Sequence, residues 1–214
     1  YMTFGGIYRE VYVQVRNKTH LADVFVKPQI HPLQVTTEIT VQNISDGITL
    51  QQEIRKKGEG AYSPLGQKPV KQTNVQTVFP VQEICLWEPE NPHLYEIRTS
   101  LWKNGEMIDA RVDITGFREA GFRKDGFYLN GKKLRLRGLN RHQSYPYVGY
   151  AAPASMQIFD ADILKKELGV NAVRTSHYPQ SQDFIRRCDE IGLLVFTEFP
   201  GWQHIGDEEW KRQA

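Results

Sequence analysis

Cysteine is scarce, with only Cys85 and Cys188 in 214 residues. They stand far apart, in segments of different character and without paired spacing, which excludes a disulfide framework or a cysteine zinc site. Both are expected as free thiols, and they leave the compartment open. An excess of one charge sign is also missing: the net charge of +2 builds no field that would recruit nucleic acid or an anionic membrane. No run approaches the ~20 apolar residues of a membrane span, and the opening YMTFGGIYRE lacks the apolar stretch of a signal peptide. There is no glycine-rich phosphate loop, because Gly5-Gly6 leads into a strand-like run with no helix behind it. That removes the support a doubly wound nucleotide-binding sheet would need. GxSxG is absent, and the six histidines, at 20, 31, 93, 142, 177 and 204, show no HxxxH spacing. Internal repeats and low-complexity tracts are absent as well.

What the first half does contain is alternation. Valines fill every second position of VYVQV (11–15), and Val35, Thr37, Ile39 and Val41 share one face of VTTEITV. Strand-like runs recur at 24–30, 35–41, 48–55, 75–82, 95–102 and 107–115, separated by turn-prone NISDG, LGQKP, EPENPH and KNGE. This spacing predicts an antiparallel, immunoglobulin-like β-sandwich, with Trp87, Tyr95 and Trp102 in its core.

The rhythm changes after about residue 118. In FYLNGKKLRL, Asn130-Gly131 is a two-residue hairpin turn, and LRLRGLN then reads as a strand. Met156, Phe159, Ile163, Leu164 and Leu168 recur at helical steps, with Ser155 as N-cap and Gly169 past the end. NAVRTS is again a strand. Ser181 to Ile191 repeats the helical pattern with Phe184, Cys188 and Ile191 on one stripe, Gly192 stops it, and LLVFTEFP is a third strand, apolar enough for burial on both faces. Alternating strands and helices predict the start of a parallel β/α fold, a barrel or a doubly wound sheet.

In such folds chemistry gathers at the C-terminal ends of the strands. All three strands end in polar residues: Asn140-Arg141-His142, Arg174-Thr175-Ser176-His177-Tyr178, and Glu198. Singly, each has an ordinary explanation. His142 is a solvated loop residue, His177 meets a backbone carbonyl, and Glu198 pairs with an arginine. Together they are harder to dismiss, since strand parity puts Ala172 with Arg174, and Leu194 and Phe196 with Glu198, on faces that can share one barrel mouth. A buried guanidinium needs an anionic or carbonyl partner. Glu198 and His204 give only a weak cation pair across a proline turn, and Trp202, after Pro200-Gly201, is placed to stack on an apolar sugar face.

NAVRTSHYP followed by DEIGLLVFTEFPG resembles the signature of glycoside hydrolase family 2, whose members include β-galactosidases, β-glucuronidases and β-mannosidases. GGIYREVYV, LWEPENPHLYEIRTSL, GFREAGF and FYLNGKKLRLRGLNRH resemble the same family in the same order. The resemblance implies a multidomain β plus α/β chain. Residues 1–14 would end a preceding sugar-binding β-domain, 15–118 would form the immunoglobulin-like sandwich, and 119–214 would supply about three strands of an incomplete (β/α)8 TIM barrel.

The resemblance also assigns roles. Arg174 matches the arginine that holds the nucleophilic carboxylate ionised and aimed, while His142 and His177 match sugar-contacting histidines. Asn140, Glu198 and Trp202 complete the expected substrate-binding set. The reaction implied is retaining hydrolysis of a terminal β-glycoside, most closely that of a β-galactosidase, on the resemblance of PGWQHIGD. β-Glucuronidase, β-mannosidase and a non-catalytic carbohydrate-binding or scaffold module are the alternatives. Retention needs two carboxyl groups about 5–5.5 Å apart, and the family carries them on later strands. The chain is therefore expected to be an internal fragment, inactive alone, with no catalytic carboxylate of its own. Magnesium-dependent members carry a glutamate and a histidine after the third strand. Here FPGWQH puts Trp202 near the glutamate's place and matches the histidine only by His204, so no cofactor or metal is expected. A carbohydrate is the expected partner, without nucleic acid or membrane, and a second copy could cover the open sheet edge as a homo-oligomer. Bacterial cytoplasm and periplasm both suit the family.

Overall fold

The computed structural model describes residues 5–199 and 204–213. They fall into two compact units, one holding residues 13–88 and 93–133, the other residues 5–12, 89–92 and 134–213.

The first unit is built on two antiparallel sheets. β1 (His20–Ile30), β2 (Leu33–Gln42) and β5 (Asn74–Pro80) form one, in the order β1-β2-β5. β3 (Ile48–Lys56), β4 (Ser63–Pro69), β8 (Tyr95–Lys103) and β9 (Glu106–Thr115) form the other, in the order β4-β3-β8-β9, and the two-residue β6 (Trp87–Glu88) also falls in this unit, whereas β7 (Asn91–Pro92) falls in the second. Alternation along β2 buries Val35, Thr37, Ile39 and Val41, as the pattern predicts. Leu21, Val24, Ile39 and Val41 of one sheet pack with Ile48, Leu50 and Leu101 of the other. A second cluster joins Val35 to Tyr95, Ile97 and Phe117. Trp87 and Tyr95 are buried, whereas Trp102 is half-buried and donates its indole N–H to Ser100 Oγ at 2.9 Å.

A polar knot crosses this core. Gln52 of β3 donates its amide to Thr37 Oγ1 and Thr99 Oγ1, both at 3.0 Å, and accepts from Thr77 Oγ1 at 2.6 Å. Thr37 pairs with Thr77, and Gln52 with Thr99, so two cross-strand pairs meet between the sheets. All four residues are buried, and burial is tolerable because every hydroxyl has a partner.

Two expectations for this half need correction. VYVQV is not a strand: Val11, Val13 and Val15 are 79, 91 and 95 % exposed, and alternation without a pairing partner does not make a strand. LGQKP is not a turn but lies within β4, an edge strand paired with β3 across a register shift at Gln52/Glu53. Glycine, proline and polar residues are tolerated on an edge, and a Cβ at Gly66 would overlap the Phe79 ring. After the sandwich, β10 (Ala120–Arg123), β11 (Gly126–Leu129) and β12 (Lys132–Lys133) form a meander whose Asn130-Gly131 turn has φ of 51° and 77°, the left-handed pair that a type I′ turn requires.

In the second unit β13 (Gly138–Arg141), β14 (Ala172–Thr175) and β15 (Leu194–Phe196) make a parallel sheet in sequence order. Gly138 lets the first two strands close up, since a Cβ there would lie 2.6 Å from the Ala172 carbonyl oxygen. Helix α1 (Ala154–Asp162) runs on into a π-helical stretch, Ile163–Glu167, and α2 (Gln182–Ile191) follows β14. Val173, Ala161, Leu164, Phe184, Cys188 and Leu193 form the core between sheet and helices. Ser181 caps α2 by accepting the Asp183 N–H at 3.3 Å, and Gly192 ends it with φ of 74°, where a Cβ would overlap the Pro89 carbonyl. Cys85 and Cys188 are both free thiols, and burial pushes the Cys188 thiol far up. A short final helix, α3, spans Glu208–Gln213.

The first helix differs from its pattern. Pro153 occupies the N-cap position and Ser155 lies inside the helix without capping it. The buried positions are Gln157, Ala161 and Leu164, while Phe159 and Leu168 are 62 and 56 % exposed. The rotation is set by polar anchors: Arg141, 5 % exposed, donates to Asp160 and Gln157 on this helix. The third strand is also narrower than predicted, with Leu194 buried but Val195 and Phe196 only half-buried.

Replacing Gln52 by leucine keeps the volume but strands three buried threonine hydroxyls. The expected loss is about 2–4 kcal/mol of unfolding free energy, read from urea unfolding. A loss below about 0.5 kcal/mol would show that the knot is energetically idle.

Candidate functional site at the strand tips

Register fixes what the parallel strands present. Asn140 lies beside Arg174, and Arg174 beside Phe196, in one row across β13, β14 and β15. Val173 and Val195 turn toward the helices and join that core, so alternation sends Asn140, Arg174 and Phe196 to the opposite face. Glu198 follows two residues after Phe196, and His142 two after Asn140.

Three of the predicted residues converge. Arg174 Nη2 lies 2.9 Å from Glu198 Oε2 and 3.3 Å from His177 Nδ1. His177 Nδ1 in turn lies 3.2 Å from both carboxylate oxygens of Glu198. The carboxylate is thus gripped by a guanidinium and an imidazole from the neighbouring strand end. Thr175, fully buried, sets its place: the hydroxyl accepts the Glu198 backbone N–H at 3.0 Å and donates to the Phe196 carbonyl at 3.4 Å. The His142 ring stands edge-on to His177 with centroids 5.4 Å apart, and 6.1 Å from the Tyr178 ring. Desolvation, followed by the neighbouring His177, holds the His142 imidazole below its ordinary pKa, against the opposite pull of Glu198.

Asn140 is exposed, and among the described residues no side-chain hydrogen bond ties it to the group. Trp202 lies outside the described residues. His204 is exposed and meets Trp210 edge-on at 6.0 Å rather than joining Glu198. Among the described residues no three His, Cys, Asp or Glu side chains gather as metal ligands. Among the described residues the carboxylate at the cluster, that of Glu198, faces the Arg174 guanidinium.

Several residues matter here that the sequence reading passed over. Arg141 points away from the cluster into the helix layer, where it donates to Asp160, to Gln180 Oε1 at 2.6 Å and to Gln157 Oε1 at 2.8 Å, and stacks over Phe184 at 4.0 Å. The Tyr178 hydroxyl accepts the backbone N–H of Gln143 at 3.1 Å. The available signal was the polar run LNRHQ at a strand end, in which parity assigns alternate residues to opposite faces.

Residues 19–118 match the family model "Glycosyl hydrolases family 2", and residues 121–212 match "Glycosyl hydrolases family 2, TIM barrel domain". The chain belongs to glycoside hydrolase family 2. Within that family it is 47 % identical to a β-galactosidase of Thermoanaerobacter pseudethanolicus, covering 100 % of this chain and 30 % of that protein. It is 45 % identical to a β-galactosidase of Thermoanaerobacterium thermosulfurigenes, over 100 % of this chain and 31 % of that protein. Among solved structures, Bacteroides uniformis β-glucuronidase 2 superposes with a TM-score of 0.81 at 29 % identity, over 92 % of this chain and 26 % of that one. The chain thus spans about a third of the length of the curated relatives it matches. In family 2 terms the first unit is the immunoglobulin-like β-domain and the parallel sheet is the start of the TIM barrel. The cluster therefore sits at the barrel's C-terminal strand ends, the face on which active sites of this fold are built.

The depressed His142 pKa has a defined consequence. The unfolded chain takes up a proton at this residue at higher pH than the folded chain does, so the contribution is stabilising above the ordinary histidine range and is lost as pH falls through it. His142→Gln is expected to flatten the decline in urea midpoint between pH 7.5 and 5.5. Equal declines in variant and wild type would contradict the placement.

Proposed function

We propose that this chain supplies the sugar-facing first part of the active site of a retaining β-glycosidase, with a β-galactoside as the leading substrate. The observation that carries the reading is the Arg174–Glu198–His177 cluster at the tips of parallel strands in a family 2 barrel segment. The glycone preference rests on the two relatives named β-galactosidase.

In this reading Arg174 supports the nucleophile. A cation within about 4–6 Å stabilises a carboxylate's charged form and keeps it a competent nucleophile. His142, His177, Asn140, Glu198 and Trp202 contact ring hydroxyls or the sugar face, and such hydrogen bonds strengthen as oxocarbenium character develops. Glu198 orients substrate rather than attacking it, because the double displacement needs two carboxyl groups about 5–5.5 Å apart and Glu198 is the cluster's one carboxylate. The catalytic pair is assigned to strands outside this sequence, and the chain alone is inactive. A β-glucuronide is the second reading, supported by the likeness to the B. uniformis β-glucuronidase.

The test replaces the matching stretch of the T. pseudethanolicus β-galactosidase with this sequence. The chimera is expected to cleave p-nitrophenyl β-galactoside faster than the β-glucuronide or β-mannoside. Arg174→Ala within it is expected to lower kcat by roughly 10²-fold or more. Faster cleavage of the glucuronide would move the substrate to the second reading. Turnover by the unfused 214-residue chain, abolished by Arg174→Ala, would overturn the division of labour.

A further inference from the structure

The segment before the sandwich reaches into the same compact unit as the barrel strands. Arg9 Nη2 donates to Gln143 Oε1 at 2.6 Å, and Arg9 Nη1 to the Tyr150 carbonyl at 3.5 Å. Gln143 is fully buried and is a junction. Its Oε1 also accepts the backbone N–H of Ser181, the α2 cap, at 3.2 Å, and its own N–H donates to the Tyr178 hydroxyl. Two donors on one oxygen fix the orientation of the amide, leaving Nε2 buried with no protein partner among the described residues. Above this junction the rings form a chain: Tyr8 meets Tyr150 with centroids 5.7 Å apart, Tyr150 meets Tyr178 at 5.3 Å, and Tyr178 meets His142 at 6.1 Å.

We propose that Arg9 is a positioning residue for the strand-tip site: by clamping Gln143 and the Tyr150 carbonyl, it holds the Tyr178 hydroxyl and the His142 ring in their places beside His177. Arg9 touches neither Arg174 nor Glu198 and acts through Gln143 and the tyrosine chain. A guanidinium suits this task because its planar fork reaches two acceptors at once, which a lysine ammonium on a flexible stem does with less geometric definition. Without that clamp the Gln143 amide keeps only the Ser181 N–H on its Oε1 and can turn its buried Nε2, so the Gln143 backbone whose N–H donates to the Tyr178 hydroxyl is less firmly placed.

This inference rests on the glycosidase reading only for the site's purpose. Its test needs no glycoside, so the two can fail separately. Ring resonances of His142 and Tyr178 are followed by NMR in the 214-residue chain, for wild type, Arg9→Ala and Arg9→Lys, alongside thermal melting. In Arg9→Ala, at unchanged Tm, the His142 and Tyr178 ring shifts are expected to move and the His142 titration to rise toward the ordinary imidazole range. His177, held by Arg174 and Glu198, should move less. Arg9→Lys is expected to restore the wild-type shifts in part. Unchanged His142 and Tyr178 resonances in a folded Arg9→Ala chain would sink the proposal. If Arg9→Ala fails to fold, the same signals in Arg9→Lys decide it. Unfolding of both variants overturns it too, by making Arg9 a structural residue.

Discussion

A guanidinium buried to 5 % exposure must find partners for its donors, and the second unit is arranged around that demand at Arg141. It draws Asp160 and Gln157 from one helix, Gln180 from the approach to the next, and the face of Phe184 to the end of β13. Removing one partner of such a buried charge costs several kcal/mol, on the order of 3–5. This anchorage ties the helix layer to the strand tip. With Arg141 committed to the helices, the residues on either side of it, Asn140 and His142, are turned to the opposite face, where the cluster forms.

The cluster itself contributes little to stability. The Arg174 side chain is 44 % exposed and that of Glu198 21 %, and an ion pair open to water is worth about 0–1 kcal/mol. Its value lies in aim: a carboxylate held by a guanidinium and an imidazole, on a residue whose backbone N–H is held by the Thr175 hydroxyl, has few alternative rotamers. The sandwich uses buried polarity differently. Around Gln52 no charge is involved and one amide joins three threonine hydroxyls from both sheets, which fixes how the two sheets face each other without a large desolvation cost.

Much of this was legible in the sequence wherever the deciding contacts are local. The Asn130-Gly131 turn, the Gly192 stop and the Phe184–Cys188 stripe all follow from neighbours within a few residues. Strand parity likewise separated Val173 from Arg174. Failures occurred where distant partners decide. The phase of α1 was read from its apolar residues, yet Arg141 on another element overrides them. β4 was read as a turn because an edge strand needs only backbone pairing and displays no apolar code. Gln143 and Arg9, 134 positions apart, carry no pattern that a single sequence reveals.

Gly192 satisfies two separate demands at one position. Its left-handed backbone excludes most side chains, and the space a β-carbon would fill is taken by the Pro89 carbonyl. Relaxing either demand leaves the other in force, so a single compensating change elsewhere does not open this position to a side chain. The entry to the third strand, two residues on, and with it the reach of Glu198 toward its neighbours, thereby keeps a constant starting point.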